Sequence, residues 1–413
     1  MIRGYLSMFR SYWPMLLFGL FTVFIGNFGQ SFFISWYGAS IQQQLGLSAA
    51  AYGSAYSGAT LVSGLTIMVI GGAVDKFPLR RFVTLVAIGL TLAALLMWRV
   101  DSLLSLVIAL FLLRFCGQGL MPHTAMTAIG RYFSLNRGKA TSIAGNGVPL
   151  GEMILPSIAV ALIALAGWQL SWLIIAFFVP LVFLPLVYWL LSKAGASEAE
   201  TVAPKVRNNA ADWVDGSRRT LLSDGRFWRA LPLLLAPPFI VTGLFIHQGF
   251  VLEQKGWSPA LFASAFVLYG AVHWAASILV GSLVDRYSAT ALFKFMGLPF
   301  VLGLTLGAFR EGIWVVYAMM ATLGIGIAMM GTIANAIWAE VYGTTHLGSI
   351  RSLFTSLSVL ATSASPVLLG LLIDAGIDAR TFLLSMAGYA AVGVVLAMTA
   401  FRTPAASQSS SNN

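Results

Sequence analysis

Gly71-Gly72-Ala73-Val74-Asp75-Lys76-Phe77-Pro78-Leu79-Arg80-Arg81 joins two long apolar runs. This short connection opens on glycines and holds one acid and three cations. A second copy, Gly281-Ser282-Leu283-Val284-Asp285-Arg286, follows 210 residues later. The same offset carries Leu45-Gly46-Leu47-Ser48 onto Lys255-Gly256-Trp257-Ser258, Gly138 onto Gly348 and Pro156 onto Pro366. Such agreement along the chain is an internal duplication, and a period this long means duplicated halves rather than a solenoid.

The composition sets the solvent. Of 413 residues, 58% are hydrophobic and 9% charged, whereas soluble domains carry about 25% charged residues. Such a chain cannot cover a water-facing surface, and apolar runs long enough to cross ~30 Å of hydrocarbon recur from end to end. The lipid bilayer is therefore its expected partner. The net charge of +10 would suggest nucleic acid on a soluble protein. Here cations gathered on cytoplasmic loops account for it, and no nucleic-acid partner is expected. Cys116 is the only cysteine, which rules out an internal disulfide, and the four His are scattered. No metal site and no cofactor are expected. Arg3 and Arg10 before Trp13 imitate a signal peptide, but the apolar run continues past Phe33 and reads as a first span.

Twelve spans are predicted: 13–37, 51–74, 81–98, 103–130, 139–166, 169–192, 226–252, 259–284, 289–308, 312–340, 347–374 and 378–401. The fold class is an all-α polytopic membrane protein. Its parts are a six-helix bundle over 1–192, a cytoplasmic linker over 193–225 with a short surface helix around Trp213, a second bundle over 226–402 and a disordered tail over 403–413. With both termini in the cytoplasm, 19 of the 24 Lys and Arg fall on the inner side. Arg99, Lys255, Arg310 and Arg380 fall outside, and Arg114 lies within a span. This bias predicts cytoplasmic termini in the cell (inner) membrane. The offset crosses six spans, so both copies run in the same direction, and a pseudo-twofold axis along the membrane normal relates two parallel halves, with the transport site between them.

Twelve spans, the 6+6 repeat, a central linker and G-x-x-x-D-[RK] after spans 2 and 8 resemble the major facilitator superfamily. The loop signature is met by Gly71, Asp75, Lys76, Arg80 and Arg81, with Pro78 and Leu79 standing where the family often has one glycine. Arg114-Phe115-Cys116-Gly117-Gln118-Gly119 is similar to its span 4 pattern, and Gly145-Asn146-Gly147-Val148-Pro149-Leu150-Gly151 is similar to its glycine/proline-rich span 5 motif. Arg131-Tyr132-Phe133 followed by Arg137-Gly138-Lys139-Ala140 resembles the monocarboxylate and oxalate/formate-type members. The resemblance implies a secondary transporter working by alternating access.

Candidate residues follow from where charge and polarity enter the spans. Gly71, Asp75, Lys76, Arg80, Arg81 and their copy Gly281, Asp285, Arg286 form a candidate cytoplasmic gate. In it Asp75 faces the positive end of a neighbouring helix or an Arg across the gap between halves, or the loop is only a charged turn that fixes topology. Arg114 and Glu152 lie near the middles of spans 4 and 5, where charge is costly and usually paired or functional. Their repeat equivalents, Gly324 and Thr362, are uncharged. Three readings fit: Arg114 binds an anion while Glu152 takes a proton; the two pair until Glu152 is protonated; or they are a static ion pair. His247 and His273 are candidate proton relays or carbonyl-bonded histidines, and Arg351 is a substrate contact or a snorkelling cation. Asn27, Gln30, Tyr56 and Thr60 are cavity candidates, whereas Trp36, Tyr37 and Tyr52 fall where aromatics favour the headgroup region.

No G-x-x-x-x-G-K-[ST] occurs, so direct use of ATP is not expected. Neither H-E-x-x-H nor G-x-S-x-G occurs, so an enzyme is not expected. A channel is disfavoured by the duplicated halves. A midplane Arg with few acids fits a small, monocarboxylate-like organic anion moved with a proton. The alternative is a larger aromatic or lipophilic compound, drug- or vitamin-like, taken up or expelled. A monomer is expected, because both halves of the pathway lie in one chain.

Overall fold

A computed structural model describes residues 2–133, 136–195, 221–343 and 347–401. Residues 196–220 of the expected linker, with its helix around Trp213, and the whole of the expected tail fall outside these residues. The described residues form twelve apolar helices long enough to cross a membrane. Spans 1–6 are Met8–Gly29, Ala49–Asp75, Leu79–Trp98, Leu103–Tyr132, Arg137–Ala166 and Trp168–Lys193. Spans 7–12 are Gly225–Ile246, Pro259–Tyr287, Ala289–Phe309, Ile313–Tyr342, Ile350–Asp374 and Ala379–Ala400. Below, the terminal face is the one where span 1 starts and span 12 ends; the far face is its opposite.

The duplication is visible in local geometry. A short helix, Gly38–Leu45, precedes span 2, and its copy, Gln248–Lys255, precedes span 8. Each ends on a left-handed glycine, Gly46 at φ 61° and Gly256 at φ 63°, a conformation that Cβ disfavours. Each is followed by a serine that caps the next span: Ser48 Oγ accepts from Ala51 N and Ser258 Oγ from Leu261 N, both at 3.2 Å.

Spans 1 and 7 end sooner than the sequence suggests. Span 1 gives way to a tight turn at Asn27–Gly29 and an extended Gln30 (φ −80°, ψ 151°). Span 7 stops at His247 (φ −103°, ψ 19°), whose Nε2 donates to the Pro366 carbonyl at 2.7 Å. The chain beyond each break folds into the short helices instead of prolonging the span.

The halves meet through two helix pairs that the offset interchanges, span 2 with span 11 and span 5 with span 8. Glycines permit the approach. Gly53 faces the Pro366 carbonyl directly, and a Cβ on Gly370 would lie 2.6 Å from the Ala49 carbonyl oxygen. Aromatic rings seal the far face: Phe32 on Phe266 at 6.1 Å, and Trp36 on Phe262 at 6.1 Å and on Phe266 at 5.8 Å. Trp36, Tyr37 and Tyr52 are thus buried in the core and not set in a headgroup belt; Tyr37 packs 4.6 Å from Trp172.

The apolar core is continuous from the first half into the far-face end of the second. The terminal-face end of the second half has a separate core around Phe227, Phe293, Ile337 and Trp338. Cβ atoms added at Gly72, Gly130 and Gly281, near that face, would meet nothing within 4 Å. The molecule is closed at its far face, and among the described residues the hydrogen bonds and ring contacts that join the halves lie there or at mid-depth.

Candidate functional site

Span 4 is wound as a π-helix over Leu113–Leu120, a form that recurs at functional sites. The two glycines of the Arg114-x-x-Gly117-x-Gly119 pattern have separate uses. A Cβ on Gly117 would lie 2.8 Å from Gly29 Cα, so span 4 touches span 1 where span 1 breaks. Gly119 lies directly against Ile67 of span 2. This packing delivers the Arg114 guanidinium to the Gly29 carbonyl, to which Nη1 donates at 3.1 Å. The guanidinium also lies 5.1 Å from the Tyr56 ring centre, a cation–π distance.

Arg114 is 1% exposed, and among the described residues it has no acidic partner. Its Nε is buried without a hydrogen-bond partner among the described residues, and the Tyr56 hydroxyl lies beside those of Thr60 and Ser31. Arg114 lines a cavity of 220 Å³ between the halves, together with Thr60 and Ser63 of span 2, Gln118 of span 4, and Thr355 and Thr362 of span 11. Ile67, Met68 and Val359 supply apolar wall. A buried cation with one carbonyl, one ring and unused donors suits a carboxylate or another small anion.

Glu152 does not pair with Arg114. Its Oε2 lies 2.7 Å from His273 Nδ1, so the buried carboxylate of span 5 is bridged to span 8 of the other half. Gly270, one turn from His273, makes the bridge possible by lying against span 5; a Cβ there would sit 2.8 Å from the Pro149 carbonyl oxygen.

The remaining candidates are scattered. Asn27 Nδ2 donates to the Gly147 carbonyl at 2.8 Å, and Gly151 lies against the Asn27 side chain. The glycine-rich stretch of span 5 thus receives span 1, and Asn27 clamps the two. Gln30 is half-buried at the break in span 1. His247 is held by Pro366 and borders a different cavity, 270 Å³, at the far face with Gln42 and Glu253. Arg351 is exposed, donating to the Asn335 carbonyl at 2.7 Å, one turn before the cavity residue Thr355.

The loop motif is engaged inside the first half, not across the gap. Asp75 is ion-paired with Arg131 of span 4, whose Nη1 also reaches the Val74 carbonyl at 3.5 Å. His123 Nε2 donates to the Gly71 carbonyl at 2.9 Å. Arg80 lies 5.9 Å from the Tyr188 ring centre, while Lys76 and Arg81 are exposed. The second copy is built differently. Asp285 is exposed with no ion pair among the described residues, Arg286 lies 5.2 Å from the Tyr287 ring centre, and Gly281 is uncrowded. There Glu340 of span 10 accepts from Ala289 N at 2.7 Å and Thr290 N at 3.3 Å, capping span 9.

Sequence reasoning missed Gln118, Ser63, Thr355 and Thr362 as cavity residues and Glu340 as a cap. Gln118 carried a signal, four residues from Arg114 and so on its side of a helix. Glu340 carried one too, as an acid at a span end.

The sequence profile of the Major Facilitator Superfamily matches residues 16–252 and 239–413. The chain belongs to this superfamily. No curated protein sequence matches it. Among solved structures it is similar to the nucleoside transporter NupG, with TM-score 0.70 at 11% identity, covering 94% of this chain and 100% of that one. A single-residue mutant of NupG gives TM-score 0.68 at 12% identity, with coverages of 94% and 100%. A bacterial homolog of the human lysosomal transporter Spinster, in an inward-facing and occupied conformation, gives TM-score 0.70 at 14% identity, with coverages of 95% and 97%. At these identities the likeness carries the superfamily fold, and the chain is a secondary transporter of that superfamily.

Proposed function

We propose that this transporter moves a small organic anion together with a proton, with Arg114 as the anion contact and Glu152 with His273 as the proton-carrying pair. The observation that carries the reading is the separation of charges. Arg114 faces the cavity between the halves without an acid, because the acid at its depth is spoken for by His273. A proton added to or taken from that pair changes a bridge between the halves, and this is what coupling requires: one event that biases a two-state element. Thr60, Ser63 and Gln118 offer hydroxyl and amide partners beside Arg114, and the apolar wall favours a short alkyl or ring substituent. The Lys and Arg distribution favours a cytoplasmic terminal face in the cell (inner) membrane, so the cavity opens inward. Both halves of the pathway lie in one chain, which favours a monomer. A second reading, a larger aromatic or lipophilic compound, draws on that same apolar wall.

The test is a thermal-shift screen of the purified protein against small carboxylates, aromatic acids, nucleosides and lipophilic cations. A ligand at 100 times its Kd stabilises by roughly 2.7 kcal/mol. Carboxylate hits that vanish in Arg114→Ala are the expected result. Hits confined to nucleosides or lipophilic cations discard the anion reading.

A further inference from the structure

We infer that Asp374 is a latch that holds the far face of the transporter shut. Asp374 ends span 11 in the second half, and span 2 of the first half begins beside it. Asp374 Oδ1 accepts from Ala49 N and Oδ2 from Ala50 N, each at 3.0 Å. The third N–H of span 2, on Ala51, is taken by Ser48 Oγ. The opening donors of one half are thus met by a carboxylate from the other, at the positive end of a helix 22 residues long. Parting the far face has to pull this carboxylate away and leave both donors to water.

The duplication does not account for the contact. At the equivalent start of span 8 the residue is Pro259, which has no N–H to offer, and the residue equivalent to Asp374 is Ala164. Both spans keep the serine cap, so capping alone needs no aspartate. The acid is present at only one of the two symmetry-related crossings, and there it joins the halves. On the span 5 and span 8 side the polar tie lies deeper, between Glu152 and His273. The latch therefore sets the balance between the two access states whatever the substrate is.

The test places spin labels at Gln43→Cys and Glu311→Cys, exposed far-face positions in the first and second halves, in a Cys116→Ala background. Distances are measured between them without substrate. Asp374→Asn keeps the side chain's size and one acceptor. Ala49→Pro removes one donor at the first helical position, where proline is tolerated, and Ser48 before it is already extended (ψ 166°). Each variant is expected to raise the long-distance population about threefold. If Asp374→Asn fails to fold, Ala49→Pro decides alone. Unchanged distances, including unchanged distances with a lowered melting temperature, make Asp374 a helix cap only and overturn the inference.

Discussion

His273 Nδ1 and Glu152 Oε2 lie 2.7 Å apart, and the bond between them joins the two halves of the molecule at mid-depth. Its members come from spans 5 and 8, one of the two crossings that must change when access alternates. If the pair carries the coupled proton, Glu152→Gln and His273→Gln each flatten the dependence of initial uptake on pH. Uptake into proteoliposomes, measured between about pH 5 and 8, where imidazole titrates, checks this. Unaltered pH profiles in both variants would leave the bridge as packing only.

Arg114 is expected to carry anion affinity through its planar fork and not by charge alone. Arg114→Lys keeps the charge but loses the fork that meets a carboxylate with two bonds. The loss of one charge-assisted bond predicts a rise in Kd of about tenfold to a hundredfold. Calorimetric titration with whichever carboxylate the thermal screen selects gives the number. An unchanged Kd removes Arg114 from the site.

Tyr56 separates ring from hydroxyl. Tyr56→Phe keeps the surface on which the Arg114 guanidinium rests at 5.1 Å, so it should bind anion nearly as the parent does. Tyr56→Leu removes the ring and should cost about 0.5–2 kcal/mol of binding. If the hydroxyl is the substrate contact instead, Tyr56→Phe should lose about as much binding as Tyr56→Leu.

Asn27 is expected to hold the fold and not the ligand. Asn27→Ala loses the bond to the Gly147 carbonyl and should cost about 1 kcal/mol of stability, read as a lower melting temperature, while the order of substrate preference stays fixed. A changed preference would return Asn27 to the cavity.

Much of the architecture could be read before folding. The 210-residue offset, the spans and the loop motif are one-dimensional signals, carried by apolar length and by glycine, proline and charge at fixed positions. Glu152 and His273 could each be singled out as polar groups at depth. Their partnership could not, because it depends on how two bundles dock. Equal depth made Arg114 and Glu152 look like partners, but depth leaves the azimuth of a helix free. The π-helix at Leu113–Leu120, which no propensity announces, accompanies an Arg114 aimed at spans 1 and 2. Asp374 was hidden for a similar reason: its partners are 325 and 324 residues away in the chain.

The division of the apolar core has a consequence for cooperativity. Side chains at the far face belong to one connected mass, so loosening any of them loosens both halves. The cluster around Trp338 and Phe227 answers only to itself. It is expected to melt as a separate unit at the base of spans 7 to 12, opening locally at less than the global free energy. Backbone amides near Ile333 and Ile337 should exchange with deuterium ahead of those near Met319 on the same helix. A single helix would then report two stabilities, one for each end of the membrane.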